Sequence, residues 1–125
     1  RIARALSVAT LLGIAACGPD YGGLEVETEG TVLPGDSADS SQFRIAVGHA
    51  FRVHARPRSH NSATFQDADA VELRAADREI LRVFRDPDEW RWVVVGRSFG
   101  QTCVEVVVDG KVEACVEAFV RTEGG

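Results

Sequence analysis

Methionine is absent from all 125 residues, position 1 included, and the expectation is that the start printed here lies downstream of the true one. Positive charge is also scarce. Against 19 Asp and Glu stand 14 Lys and Arg, a formal net charge of −5, whereas a general nucleic-acid binder needs clustered cations to neutralise phosphates. Gly at 12 and Pro at 4 are too few for a collagen-like chain, and 45% apolar residues are too many for an intrinsically disordered one. No apolar run reaches the roughly 20 residues that a membrane-spanning helix needs, which excludes a polytopic membrane protein. Catalytic signatures are missing too: there is no G-x-S-x-G, H-E-x-x-H, P-loop or G-x-G-x-x-G. Ser59 and His60 are neighbours along the chain, which does not make them a dyad. What remains is one globular domain, with no enzyme activity, catalytic residue or cofactor expected.

The N-terminus reads as an address. Arg1 and Arg4 give a positive start, and Ala5 to Ala16 is an uncharged, mostly apolar run of 12 residues ending in the breaker cluster Gly18-Pro19-Asp20. As a helix that run rises about 18 Å, the length of a secretory signal core and too short to span. Its exit, Ile14-Ala15-Ala16-Cys17, resembles the bacterial lipobox. The resemblance implies cleavage after Ala16 and lipid on Cys17, so that the protein is exported and held in the cell envelope by its acyl chains. Gly18 rather than Asp after the cysteine implies the outer membrane if the host is Gram-negative. Removal of residues 1–16 takes two arginines with it and leaves the mature chain more acidic.

Lipidation of Cys17 leaves two of the three cysteines to pair. Between Cys103 and Cys115 lie two runs of alternating β-branched residues around Asp109-Gly110, the signature of a β-hairpin. A three-residue loop, 108–110, places the two cysteines directly opposite each other, and this loop with a cross-strand disulfide is the expectation. A two-residue loop puts them on opposite faces. The core face should then carry Val104, Val106, Val108, Val112, Ala114, Val116, Ala118 and Val120, with Glu105, Lys111, Glu113 and Glu117 outside.

Residues 17–41 are rich in Gly, Ser, Asp and Glu and read as an acidic tether, about 80 Å long if residues 18–41 are fully extended, with a possible edge strand at 24–28. From Phe43 short alternating runs follow one another: Phe43, Ile45 and Val47, then Phe51, Val53 and Ala55 up to Pro57. Residues 69–84 carry two readings, strand–turn–strand or an amphipathic helix, and the rhythm of the neighbouring strands favours the first. An all-β sandwich of about seven short strands over residues 42–121 results, with 122–125 as a tail.

Val71-Glu72-Leu73, Ala76 to Val83, Trp90 to Gly96 and Phe99 to Val106 resemble the bacterial immunoglobulin-like domains of group 2, and Gly100 to Val106 match their G-x-(T/C)-x-(I/V)-x-V strand. Ala75-Ala76-Asp77 replaces the usual Ser-Ser-Asp turn. The resemblance covers roughly residues 42–121 and implies an immunoglobulin-like fold in a non-catalytic structural or adhesive module.

Three groups of residues remain as candidate sites. Arg52, His54, Arg56 and Arg58 share one strand face, either as a patch for an anionic envelope polymer or glycan or as a solvated face paired with acids. Asp67, Asp69, Asp86 and Asp88 are turn residues that could also offer oxygens to Ca²⁺. Trp90 and Trp92 share a face, as core or as a sugar-stacking surface. The histidines at 49, 54 and 60 do not share one parity, and no metal site is expected. A protein partner docking an exposed sheet edge is the third option.

Overall fold

The computed structural model describes residues 18–122, and the signal segment, Cys17 and residues 123–125 lie outside them. Among the described residues nine strands make two sheets. β1 (Tyr21–Glu29), β4 (Ala50–Ser59), β7 (Arg91–Gly96) and β6 (Leu81–Arg85) form one, in that order across the sheet. β2 (Ser37–Ala38), β3 (Gln42–Ala46), β9 (Lys111–Arg121), β8 (Gly100–Val108) and β5 (Val71–Ala75) form the other. All pairs are antiparallel except β3 with β9. The β-sandwich is therefore as expected. No helix among the described residues is long and apolar enough to cross a membrane.

The alternation in the sequence sets the two inner faces. Phe43 and Ile45 on β3, Val53 on β4, Leu81 on β6, Trp92 and Val94 on β7, Val104 and Val106 on β8, and Val120 on β9 are all fully buried. Burial of each such side chain contributes about 1.5–3 kcal/mol. Phe65, Ala68, Val71 and Trp90 form a smaller cluster at one end. Residues 69–84 resolve as strand–turn–strand, with β5 in one sheet and β6 in the other. Only a 3₁₀ turn, Ala68–Ala70, precedes them, capped by the Asp67 side chain. Leu73 and Leu81 each reach the core from the edge of a different sheet, and a single helix could not have placed them so.

The sandwich starts further toward the N-terminus than residue 42. Instead of a tether, residues 21–29 form β1, which pairs with β4 over seven positions and buries Leu24. A bulge at Gly22-Gly23, where Gly23 has φ 131°, lets β1 follow β4 to its end. β4 runs through Pro57 to Ser59. The backbone of odd residues in β4 faces β7, which stops opposite His54, so the proline removes no ladder hydrogen bond.

β7 ends at Gly96, which exchanges backbone hydrogen bonds with Gly48 and His49. A Cβ here would press into the Ala46 carbonyl oxygen, which is backbone and cannot swing aside. Gly96→Ala should therefore cost about 3 kcal/mol, read as a lowered urea midpoint at unchanged m-value. A cost below about 1 kcal/mol would show that β3 and β7 can separate there freely.

Candidate functional site

The outer face of the β1–β4–β7–β6 sheet carries the cationic row found in the sequence, and the register gives it partners. Arg52, His54 and Arg56 stand opposite Glu29, Glu27 and Glu25 on β1. Arg52 Nε also lies 3.1 Å from the buried carboxylate of Asp86. Arg56 donates Nε to the Phe65 carbonyl at 3.1 Å, and its guanidinium stacks 4.8 Å from the Trp90 ring centroid. Arg58 donates to the Gly22 carbonyl at 3.1 Å, pinning the β1 bulge. On β7, Arg91 donates Nε to the Glu29 carboxylate at 2.8 Å, and that hydrogen bond holds the guanidinium more firmly charged than usual. The row thus faces a row of opposite charges, with Arg52 ion-paired to Asp86 and Arg56 and Arg58 donating to backbone carbonyls.

The β8–β9 hairpin forms the Cys103–Cys115 disulfide with Cα atoms 5.3 Å apart, a normal span for such a bridge. Its route differs from the expected one. The turn has two residues, Asp109 and Gly110, both at positive φ (51° and 79°), because that hand matches the twist of the flanking strands. Such a turn alone would put the cysteines on opposite faces. An irregularity follows it: Val107 faces Val112 but Val106 faces Ala114, so Glu113 is an extra residue that shifts the register by one. Parity is restored, and Cys115, which faces Glu105, meets Cys103 diagonally rather than directly opposite. The same shift moves Val112 out of the expected core face, where it is 43% exposed, while Val107 is buried. Reduction should cost about 2 kcal/mol, the low side for a loop of this length because the turn also closes it. Urea unfolding with and without a reductant reads the difference; identical midpoints would show that the bridge does not constrain the unfolded chain.

A constellation that the sequence did not disclose lies at the opposite end. The Asp36 side chain is 1% exposed and takes three donors: Arg121 Nη2 at 2.8 Å, His49 Nδ1 at 2.8 Å and the Ala46 backbone N–H at 3.1 Å. Arg121 further donates to the carbonyls of Pro34 and Gly35, both at 3.0 Å. One carboxylate therefore ties the β1–β2 connection to the ends of β3 and β9. The three residues lie far apart in sequence, in a stretch rich in turn formers, and no local pattern links them.

No family model matches this chain, and no curated protein sequence matches it. The fold, however, has solved counterparts. Domains 5–6 of the S-layer protein SbsC superpose with a TM-score of 0.55 at 17% identity, over 81% of this chain and 47% of that one. Domains 1–6 of the surface layer protein SbsC give 0.53 at 17% identity, and the chain rSbsC(31-844) gives 0.52 at 17%, each over 86% of this chain and 14% of that one. The chain thus spans half or less of the proteins it resembles, and the likeness is one of fold.

The remaining candidates from the sequence occupy definite places. Asp67, Asp69, Asp86 and Asp88 line one cavity of about 270 Å³ together with Arg85. Their carboxylates serve the turns: Asp67 accepts from the Asp69 N–H and Asp86 from the Asp88 N–H, both at 3.0 Å. Among the described residues no group of three His, Cys, Asp or Glu side chains is arranged to hold a metal ion. Trp90 and Trp92 are both buried, in the smaller and the main core respectively. Neither offers a face for sugar stacking.

Proposed function

We propose that this chain is an exported, lipid-anchored envelope protein whose sandwich acts as a non-catalytic structural or adhesive module. The observation that carries the reading is the Cys103–Cys115 bond in a strand pair of the sandwich, since such bridges persist in oxidising compartments outside the cytosol. The lipobox-like Ile14-Ala15-Ala16-Cys17 supports it from the sequence. So does the fold, whose solved counterparts are named as S-layer and surface layer proteins. With β1 starting at Tyr21, a lipid on Cys17 would leave only about 14 Å of chain between anchor and sheet. The domain would then sit against the membrane surface rather than at the end of a long tether. In this arrangement the β4 row of Arg52, His54, Arg56 and Arg58 is the weaker candidate for an anionic envelope polymer, because its arginines already have partners.

Intact mass of the membrane-extracted protein, before and after reduction and alkylation, tests the reading. The expected result is a chain starting at Cys17 with added acyl mass, and two cysteines that alkylate only after reduction. An unprocessed chain with three free thiols overturns it.

A further inference from the structure

The Cys103–Cys115 bond stands outside the core. Val104 and Val116 face each other across β8 and β9 and are buried inside the sandwich, so the residues on either side of them point the other way. The two cysteines therefore lie on the outer face of the five-stranded sheet, Cys103 half-buried and Cys115 exposed. The bond joins strands that the ladder and the Asp109-Gly110 turn already hold together. Opening it frees no element from the sandwich.

The two sulfurs differ in how they can be approached. Thiolate attack on a disulfide runs in line, the incoming sulfur arriving behind the attacked one and opposite the one that leaves. Because the bond crosses from β8 to β9, Cys103 is reached from the β5 side and Cys115 from the β3 side. On the β5 side stands Arg74, on the same outer face as Cys103, its Nε donating to Glu105 at 2.8 Å. Ala76 N also donates to the Cys103 carbonyl, so the chain leaving β5 runs on past that cysteine. On the other side β3 begins only opposite Glu117, and among the described residues no strand flanks β9 at Cys115.

We propose that Cys115 is a thiol-exchange site, at which an external thiol becomes reversibly bonded to the folded domain. The incoming thiolate attacks Cys115 Sγ. A new S–S bond forms there, the Cys103–Cys115 bond breaks, and its electron pair leaves on Cys103 Sγ as a thiolate. One disulfide replaces another, so nothing is oxidised or reduced overall. Attack by the Cys103 thiolate on Cys115 Sγ expels the thiol and restores the original bond. This goes beyond the envelope reading, from which it takes only the bond, and it does not depend on the lipid anchor.

The test exposes the full, oxidised chain to 2-mercaptoethanol, stops the exchange with acid at short times, alkylates free thiols at low pH and maps both cysteines by peptide mass. The expected intermediate carries mercaptoethanol on Cys115 and the alkyl group on Cys103, in about fivefold excess over the reverse. Arg74→Ala clears the β5 side and should lower that excess to about twofold. The rate should rise in proportion to thiol concentration, with tryptophan fluorescence unchanged, since Trp90 and Trp92 are buried and report unfolding. A rate that levels off as thiol increases would place the exchange in the unfolded chain and overturn the proposal. So would an adduct shared equally or found mainly on Cys103, and an excess that Arg74→Ala leaves unchanged overturns the shielding that distinguishes the two sulfurs. Three free thiols in the starting chain would overturn the envelope reading as well, whereas an intact bond with the adduct on Cys103 overturns this inference alone.

Discussion

Replacing Asp36 by Ala is expected to destabilise the domain by about 3–5 kcal/mol, the cost of removing one partner from a buried ion pair. The carboxylate is the common acceptor for Arg121, His49 and the Ala46 N–H. Without it the Ala46 N–H, in a residue with no exposed surface, keeps its desolvation cost and loses its hydrogen bond. Arg121, only 24% exposed in its side chain, keeps its charge with no counter-charge and only carbonyls around it. Asp36→Asn separates the two effects. Its amide oxygen can still accept from Ala46, so the variant should fall between wild type and Ala. The measurement is urea unfolding followed by tryptophan fluorescence, since Trp90 and Trp92 are both buried. A loss below about 1 kcal/mol for Asp36→Ala would show that the connection before β2 is held by something other than this clamp.

That the clamp was invisible in the sequence follows from what local pattern can encode. Alternation disclosed the inner faces of β3, β4, β5, β7 and β8 correctly, because burial on one face imposes a period of two. On β9 it held for Ala114, Val116, Ala118 and Val120 and failed at Val112. A bulge at Glu113 changes parity once, so only the positions between the turn and the bulge face the other way from the unbroken alternation. Asp109-Gly110 specifies the two-residue turn; the three-residue loop that an unbroken ladder needs to bring the cysteines to one face is not formed, because the bulge at Glu113 does this instead. β1 was legible only as residues 24–28, because Gly22 and Gly23 read as linker although one of them makes the bulge. The cationic row on β4 was read correctly as one face. The acids facing it were not, since Glu25, Glu27 and Glu29 reach it through strand pairing between positions 23 or more apart that no local rule supplies. Nor was the open side of the sandwich, where β5 and β6 are edges of different sheets, since that is a fact of topology alone.

Trp92→Ala is expected to cost about 4 kcal/mol, in the usual range for emptying a large aromatic from a core. The ring is 1% exposed and its Nε1 donates to the Ala55 carbonyl at 3.3 Å, so it packs the main core and links β7 to β4. Its further role concerns the open side. The Arg85 guanidinium lies 4.5 Å from the ring centroid and donates to the Ala68 and Val71 carbonyls. The ring is thus the platform from which Arg85 holds the edge of one sheet to the edge of the other. Trp92→Phe keeps most of the apolar volume and loses the Nε1 donor, and should cost about 2 kcal/mol. A double-mutant cycle of Trp92→Ala with Arg85→Ala isolates the stacking contact, with an expected coupling of about 1 kcal/mol. If the two losses add instead, Arg85 bridges the sheets without the ring. In that case the width of the opening between β5 and β6 is set by the guanidinium's bonds to backbone carbonyls and not by the core behind it.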